Sequence, residues 1–136
     1  MMLGEEELQL LLVVVYKNGS AADSKIYING EEPGTSFTGT FPTSNFDFSG
    51  EDLIFGSYGY AGFYGKMSNF QAFNIALPAT GTESVATLYN NGVPLTSAIA
   101  TSNLKAWYKL DNTATFSTNW SIPDASGNGN TGTSSG

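Results

Sequence analysis

Residues 62–89 decide the reading of this chain: Gly62-Phe-Tyr-Gly-Lys-Met-Ser-Asn-Phe-Gln-Ala-Phe-Asn-Ile-Ala-Leu-Pro78, a short polar spacer, then Glu83-Ser-Val-Ala-Thr-Leu-Tyr89. The pattern is a strand, a turn closed by Pro78 and one short helix. Within 66–74, Phe70 and Ala72 share one face while Asn69, Gln71 and Phe73 share the other. Met67 and Phe70 cannot both obey that alternation, which predicts a bulge or burial on both sides. Thr82 is placed as helix N-cap. Val85, Leu88 and Tyr89 then fall on one helix face, and Asn91-Gly92 supplies the stop. A helix near 82–90 has about two turns and must be held by packing.

Upstream, the apolar run 8–16 contains three successive valines, whose branching at Cβ suits a pleated surface, so a strand covered on both faces is expected. A helix starting at Glu5 is the alternative, since acids at its first turn would complement the helix dipole. In 25–30, Ile26 and Ile28 share a face and Asn29-Gly30 favours a turn with positive φ. Alternation at Phe37 and Phe41, at Phe46 and Phe48, and across 52–56 predicts further strands. Downstream, 93–103 has no periodicity and reads as a linker. Residues 104–110 alternate, with Leu104, Ala106, Tyr108 and Leu110 opposite Lys105, Trp107 and Lys109. From Asp124 onward nearly every residue is a turn former, and such a tail is mobile unless something holds it.

The 136 residues suit one domain, and 40% hydrophobic content can supply one core. Sixteen glycines and only 12% charged residues point to a turn-rich, all-β protein. Five lysines and no arginine against twelve acids give a net charge of −7, which repels polyanions and argues against nucleic-acid binding. With no cysteine and no histidine, thiol chemistry, imidazole bases and zinc sites built from them are excluded. The run 8–16 is too short to span a bilayer as a helix and follows three glutamates, so neither a signal peptide nor membrane insertion is expected.

Four segments, Lys25-Ile-Tyr-Ile-Asn-Gly, Asp52-Leu-Ile-Phe-Gly, the strand and turn of 63–78, and Thr87-Leu-Tyr-Asn-Asn-Gly, together resemble the C-terminal half of LamG-like, concanavalin A-like domains. Leu104-Lys-Ala-Trp-Tyr-Lys-Leu-Asp, Trp120 and Asp124-Ala-Ser-Gly-Asn-Gly-Asn-Thr-Gly resemble the beginning of the same domain type. The order is similar to the junction between tandem LamG-like repeats in large structural proteins of marine bacteriophages. The resemblance implies an antiparallel β-sandwich, a jelly roll that is reduced or permuted. Its parts are a C-terminal half at 1–92, a linker at 93–103 and a domain start at 104–136. The middle strands of a complete domain are missing, and an aliphatic run stands where a tryptophan is usual near residue 9. In the family the first strand lies beside the last. Residues 104–110 are therefore expected against 66–74, either within the chain or by β-edge pairing with a neighbouring copy in a homo-oligomer or particle.

Jelly-roll glycanases carry carboxylates as Glu-x-Asp-x-x-Glu on one strand, and that spacing is absent, so no catalytic residues are expected. Tyr58, Tyr60 and Tyr64, set among glycines, are candidates for stacking on a glycan, or else cover the core or an edge. Asp124, Asn128 and Asn130 could offer oxygens to Ca²⁺, although their spacing is not that of an EF-hand and a plain Asx-rich turn explains them as well. No cofactor is required. Asn18-Gly-Ser and Asn119-Trp-Ser match glycosylation acceptors, which matter only in a glycosylating host. The expected function is a non-enzymatic structural or adhesion module of a phage virion, as capsid decoration or tail fibre. The second expectation is a secreted, extracellular carbohydrate-binding module.

Overall fold

The structure, a computed structural model, describes residues 10–34, 37–43, 54, 57–58, 61–62 and 65–134. They form small antiparallel sheets and one short helix, a β-rich architecture. Strands β1 (Leu12–Val15) and β2 (Lys25–Ile28) pair antiparallel, with Leu12 opposite Ile28 and Val15 opposite Lys25. A short ladder joins β3 (Ser57–Tyr58) to β4 (Ala61–Gly62). Strand β5 (Phe70–Phe73) pairs antiparallel with β6 (Leu104–Tyr108). The last sheet has the order β7 (Thr115–Phe116), β8 (Trp120–Ile122), β9 (Gly132–Thr133).

The valine run forms a strand, but its cover differs from expectation. Val13 and Val15 face a core shared with Tyr27, Leu77, Val85, Leu88 and Ala100. On the opposite face Leu12 and Val14 stay 59% and 60% exposed, so one face, not two, is covered among the described residues. The Asn29-Gly30 turn forms as its sequence dictates, with φ of 52° and 85°. Gly30 is required there twice over. A Cβ would sit 3.1 Å from the Tyr89 ring, and the positive φ disfavours any side chain.

Two other expected strands change. The described residues 37–41 form no strand, because Gly39 at φ 112° breaks the extended path. Phe41 instead stacks on Tyr16 at 5.3 Å. In 66–74 the strand begins only at Phe70, since Asn69 is left-handed at φ 56°, and the irregularity lies between Ala72 and Phe73 rather than beside Met67. The expected strands at 46–48 and 52–56 lie outside the described residues apart from Ile54, which is exposed and not in a strand.

Helix α1 (Val85–Tyr89) is capped by Ser84, not Thr82. Its early N–H groups all find partners. Val85 donates to the Pro78 carbonyl at 2.9 Å, Ala86 to Ala79 at 3.1 Å, and Thr87 to the Ser84 hydroxyl at 3.2 Å. Ser84 is fully buried and donates in turn to the Gly81 carbonyl at 2.7 Å. Left-handed Asn90 ends the helix. The aperiodic segment 93–103, read as a linker, contributes Ala100 to the core, with Leu95 and Ile99 packed against it. The Ala100 N–H is tied to Glu83 Oε1 at 3.1 Å.

The cap assignment predicts that Ser84→Ala lowers unfolding free energy by about 1–2 kcal/mol in urea titrations. Thr82→Ala is expected to stay within about 0.5 kcal/mol of the parent.

Candidate functional site

Strand β6 is the most completely enclosed element: Leu104, Ala106, Trp107 and Tyr108 are all buried. Alternation alone would leave one face wet, but Trp107 has its own cover. Its indole N–H donates to Asn69 Oδ1, and the Lys109 ammonium lies 4.7 Å from its ring centre. On the other face Tyr108 stacks with Phe70 at 6.2 Å. One edge of β6 is taken by β5. The peptide groups of Lys105 and Trp107 point the other way, as alternate residues of an antiparallel strand do.

The 124–130 loop meets those outward groups. Asp124 Oδ1 accepts from the Trp107 N–H at 2.9 Å, and the Ala125 N–H returns a bond to the Trp107 carbonyl at 2.7 Å. Asn128 Nδ2 donates to the Leu104 carbonyl at 2.8 Å, and Asn130 Nδ2 donates to that of Lys105 at 2.8 Å. The loop holds its own shape through the same carboxylate, which accepts from the Ser126 and Asn130 N–H groups at 2.9 and 3.0 Å. Asp124, Asn128 and Asn130 are thus brought together as the sequence suggests, and each is engaged with β6 backbone. Among the described residues no group of three or more carboxylates sits close enough to hold a metal ion. Burial raises the Asp124 pKa, but hydrogen bonds from Ser126 and from the Trp107, Ser126 and Asn130 backbone outweigh it, and the net shift is downward. The Tyr108 phenol is pushed up by burial and then by the Asp124 charge. Its O–H donates to the Asn130 carbonyl, a further tie between strand and loop.

Tyr58 lies in β3 opposite Ala61, while Tyr60 and Tyr64 lie outside the described residues. A different aromatic pair is plainly in view. Phe116 and Trp120 are cross-strand partners in β7 and β8, with ring centres 5.3 Å apart and planes tilted by 56°. They are 63% and 49% exposed. Sequence reasoning passed over Phe116, although two aromatics flanking the polar turn Ser117-Thr118-Asn119 are a hairpin signal. A second exposed apolar surface is the outer face of β1 and β2, formed by Leu10, Leu12, Val14 and Ile28.

An open depression of about 320 Å³ lies among Ser68, Asn69, Pro94, Leu95, Thr96, Lys109, Leu110 and Asp111. Its charged groups are already occupied. Lys109 covers Trp107, and the Asp111 carboxylate accepts from the Thr113 hydroxyl and N–H at 2.6 and 3.0 Å. What the described surfaces offer chemically is contact: an aliphatic sheet face and an aromatic hairpin tip. Comparison with known protein families, curated proteins and solved structures finds no match to this chain.

Removing the Asp124 carboxylate leaves the Trp107 N–H without a partner, so Asp124→Ala is expected to cost about 2–3 kcal/mol in denaturant unfolding. The pH dependence has a definite sign. The Asp124 pKa is depressed in the folded chain, so its contribution is complete above the ordinary value near 3.8 and is lost as pH falls from there through the folded value. Stability measured against pH should therefore drop in that acid range, and Asp124→Asn should flatten the drop. Exposed Asp23 and Asp111, whose pKa values are also depressed, leave a residual slope of the same sign.

Proposed function

We propose that this chain is a non-enzymatic structural or adhesion module that builds a repeated assembly by burying the outer face of its β1–β2 ribbon against a second copy. The observation that carries this reading is the contiguous aliphatic face of Leu10, Leu12, Val14 and Ile28, with exposures of 65%, 59%, 60% and 39%. A sheet face of this kind normally turns toward a core, and on a soluble surface it marks a contact. The occupant follows from charge. Two copies each carrying −7 repel through most of their surface, whereas this face is aliphatic at its centre and carries Glu31, bridged to Ile28, at its rim, so copies meet here with fewer acids brought together than elsewhere. An antiparallel ribbon packing on its own copy about a two-fold axis also presents the same residues to each other.

Magnitude sets the kind of assembly. Completing the burial of four such side chains on both copies contributes roughly 7–13 kcal/mol, scaling about 1.5–3 kcal/mol per fully buried side chain by the fraction now exposed. The association cost is about 4–15 kcal/mol. A lone pair of copies is therefore held weakly, and the contact becomes durable when several act together, as on a particle surface. A phage virion or another extracellular assembly fits this requirement. The antiparallel seating of β6 beside β5 supports reading the chain as a reduced, circularly permuted jelly-roll sandwich, since that neighbour relation is the one implied between the first and last strands of LamG-like domains.

Sedimentation equilibrium from micromolar to millimolar concentration is expected to show mass rising from one copy toward two. Leu12→Lys with Val14→Lys should hold the chain at one copy without changing its circular dichroism. A monomer at every concentration would sink the reading.

A further inference from the structure

We propose that Phe116 and Trp120, at the tip of the β7–β8 hairpin, form a stacking platform for a neutral glycan. The two rings stand on one face of the last sheet, directly opposite each other in register. Two residues further along β8, the same face carries Ile122 opposite Gly132, and there it docks on the body of the chain: a Cβ at Gly132 would meet the Tyr108 ring at 3.4 Å. The sheet is therefore anchored at its inner end, through Gly132, Tyr108 and the loop that clamps β6. The outer end leaves the rings 63% and 49% exposed, so they do little for that anchoring.

The chemistry around the rings selects the ligand. Residues 112–122 contain no charged side chain, and the turn between the rings is Ser117-Thr118-Asn119, two hydroxyls and an amide, all exposed. An aromatic face carries the negative end of a quadrupole and attracts the weakly positive C–H bonds on the face of a sugar ring. Hydroxyl and amide groups beside it pair with sugar hydroxyls. A ligand that is apolar on its faces, polar at its rim and uncharged matches both features. The 56° tilt between rings 5.3 Å apart makes a twisted platform rather than a flat one, suited to successive residues of a bent oligosaccharide. This site shares no residue with the aliphatic face of β1 and β2, and its readout is independent of oligomeric mass.

The test uses the chain's two tryptophans. Trp107 is 3% exposed and Trp120 is 49% exposed, so ligand-induced change in emission reports on Trp120. The full chain is titrated with cellohexaose, laminarihexaose, maltohexaose and chitohexaose, and applied to a printed array of neutral and acidic glycans. At least one neutral glycan is expected to saturate the emission change. Phe116→Ala should weaken it about tenfold, the scale of losing one stacked ring. By calorimetry, Trp120→Ala should abolish binding and Trp120→Phe should retain most of it. Unchanged thermal midpoints in these variants establish that the hairpin still folds. No saturable response to any neutral glycan, capture of acidic glycans alone, or binding that survives Phe116→Ala and Trp120→Ala overturns the proposal.

Discussion

A strand buried on both faces still exposes a row of peptide groups along each edge, and every such group left dry and unpaired costs about 1–3 kcal/mol. Strand β6 poses this problem most sharply, because Leu104, Ala106, Trp107 and Tyr108 are all buried. The chain solves it with side chains in place of another strand. One carboxylate and two amides from 124–130 reach the outward groups of Leu104, Lys105 and Trp107. The run of turn formers, expected to be mobile unless something holds it, is held here as the edge cover of the sheet. An edge closed by its own tail is also withdrawn from pairing with another chain, which is how natural sheets avoid uncontrolled association.

This closure ties the middle of the sequence to its last third. Strand β5 follows the first hairpin, β6 follows the aperiodic segment, and their pairing brings Phe70 onto Tyr108 and Asn69 onto Trp107. The aperiodic segment is itself fastened, by Ala100 in the core and by Glu83 at its N–H. With that edge and the core thus committed internally, the described residues present two apolar surfaces outward, the β1–β2 face and the aromatic hairpin tip. The proposed assembly contact and the proposed glycan contact use no residue in common.

Some of this was legible in the residues. Asn29-Gly30 dictated its turn because few other dipeptides accept two positive φ values, and the alternation of 104–108 gave β6 its strand. Asp124, Asn128 and Asn130 stood out as one cluster. The Asx-turn chemistry was visible, but not what the turn would hold, since its partners lie about twenty residues back along the chain. Thr82 lost the cap to Ser84 because the carbonyls of Pro78 and Ala79 accept from the Val85 and Ala86 N–H groups and place the helix start two residues later. Local patterns also overstated the strands at 37–41 and 66–69, where single residues, Gly39 and Asn69, take positive φ. The full cover expected for the valine run was unreadable because periodicity reports which residues are apolar and not what stands opposite them.

The 124–130 loop serves as the missing neighbour of β6, and the Trp107 amide reports on it most directly. Its N–H points away from β5 and donates to Asp124 Oδ1 at 2.9 Å, its one partner among the described residues. Hydrogen exchange followed by NMR should find this amide protected to the same degree as the Asn69 and Asn74 amides, which donate to the Lys109 and Asn103 carbonyls. A Trp107 amide that exchanges at the rate of an unstructured peptide would contradict the account.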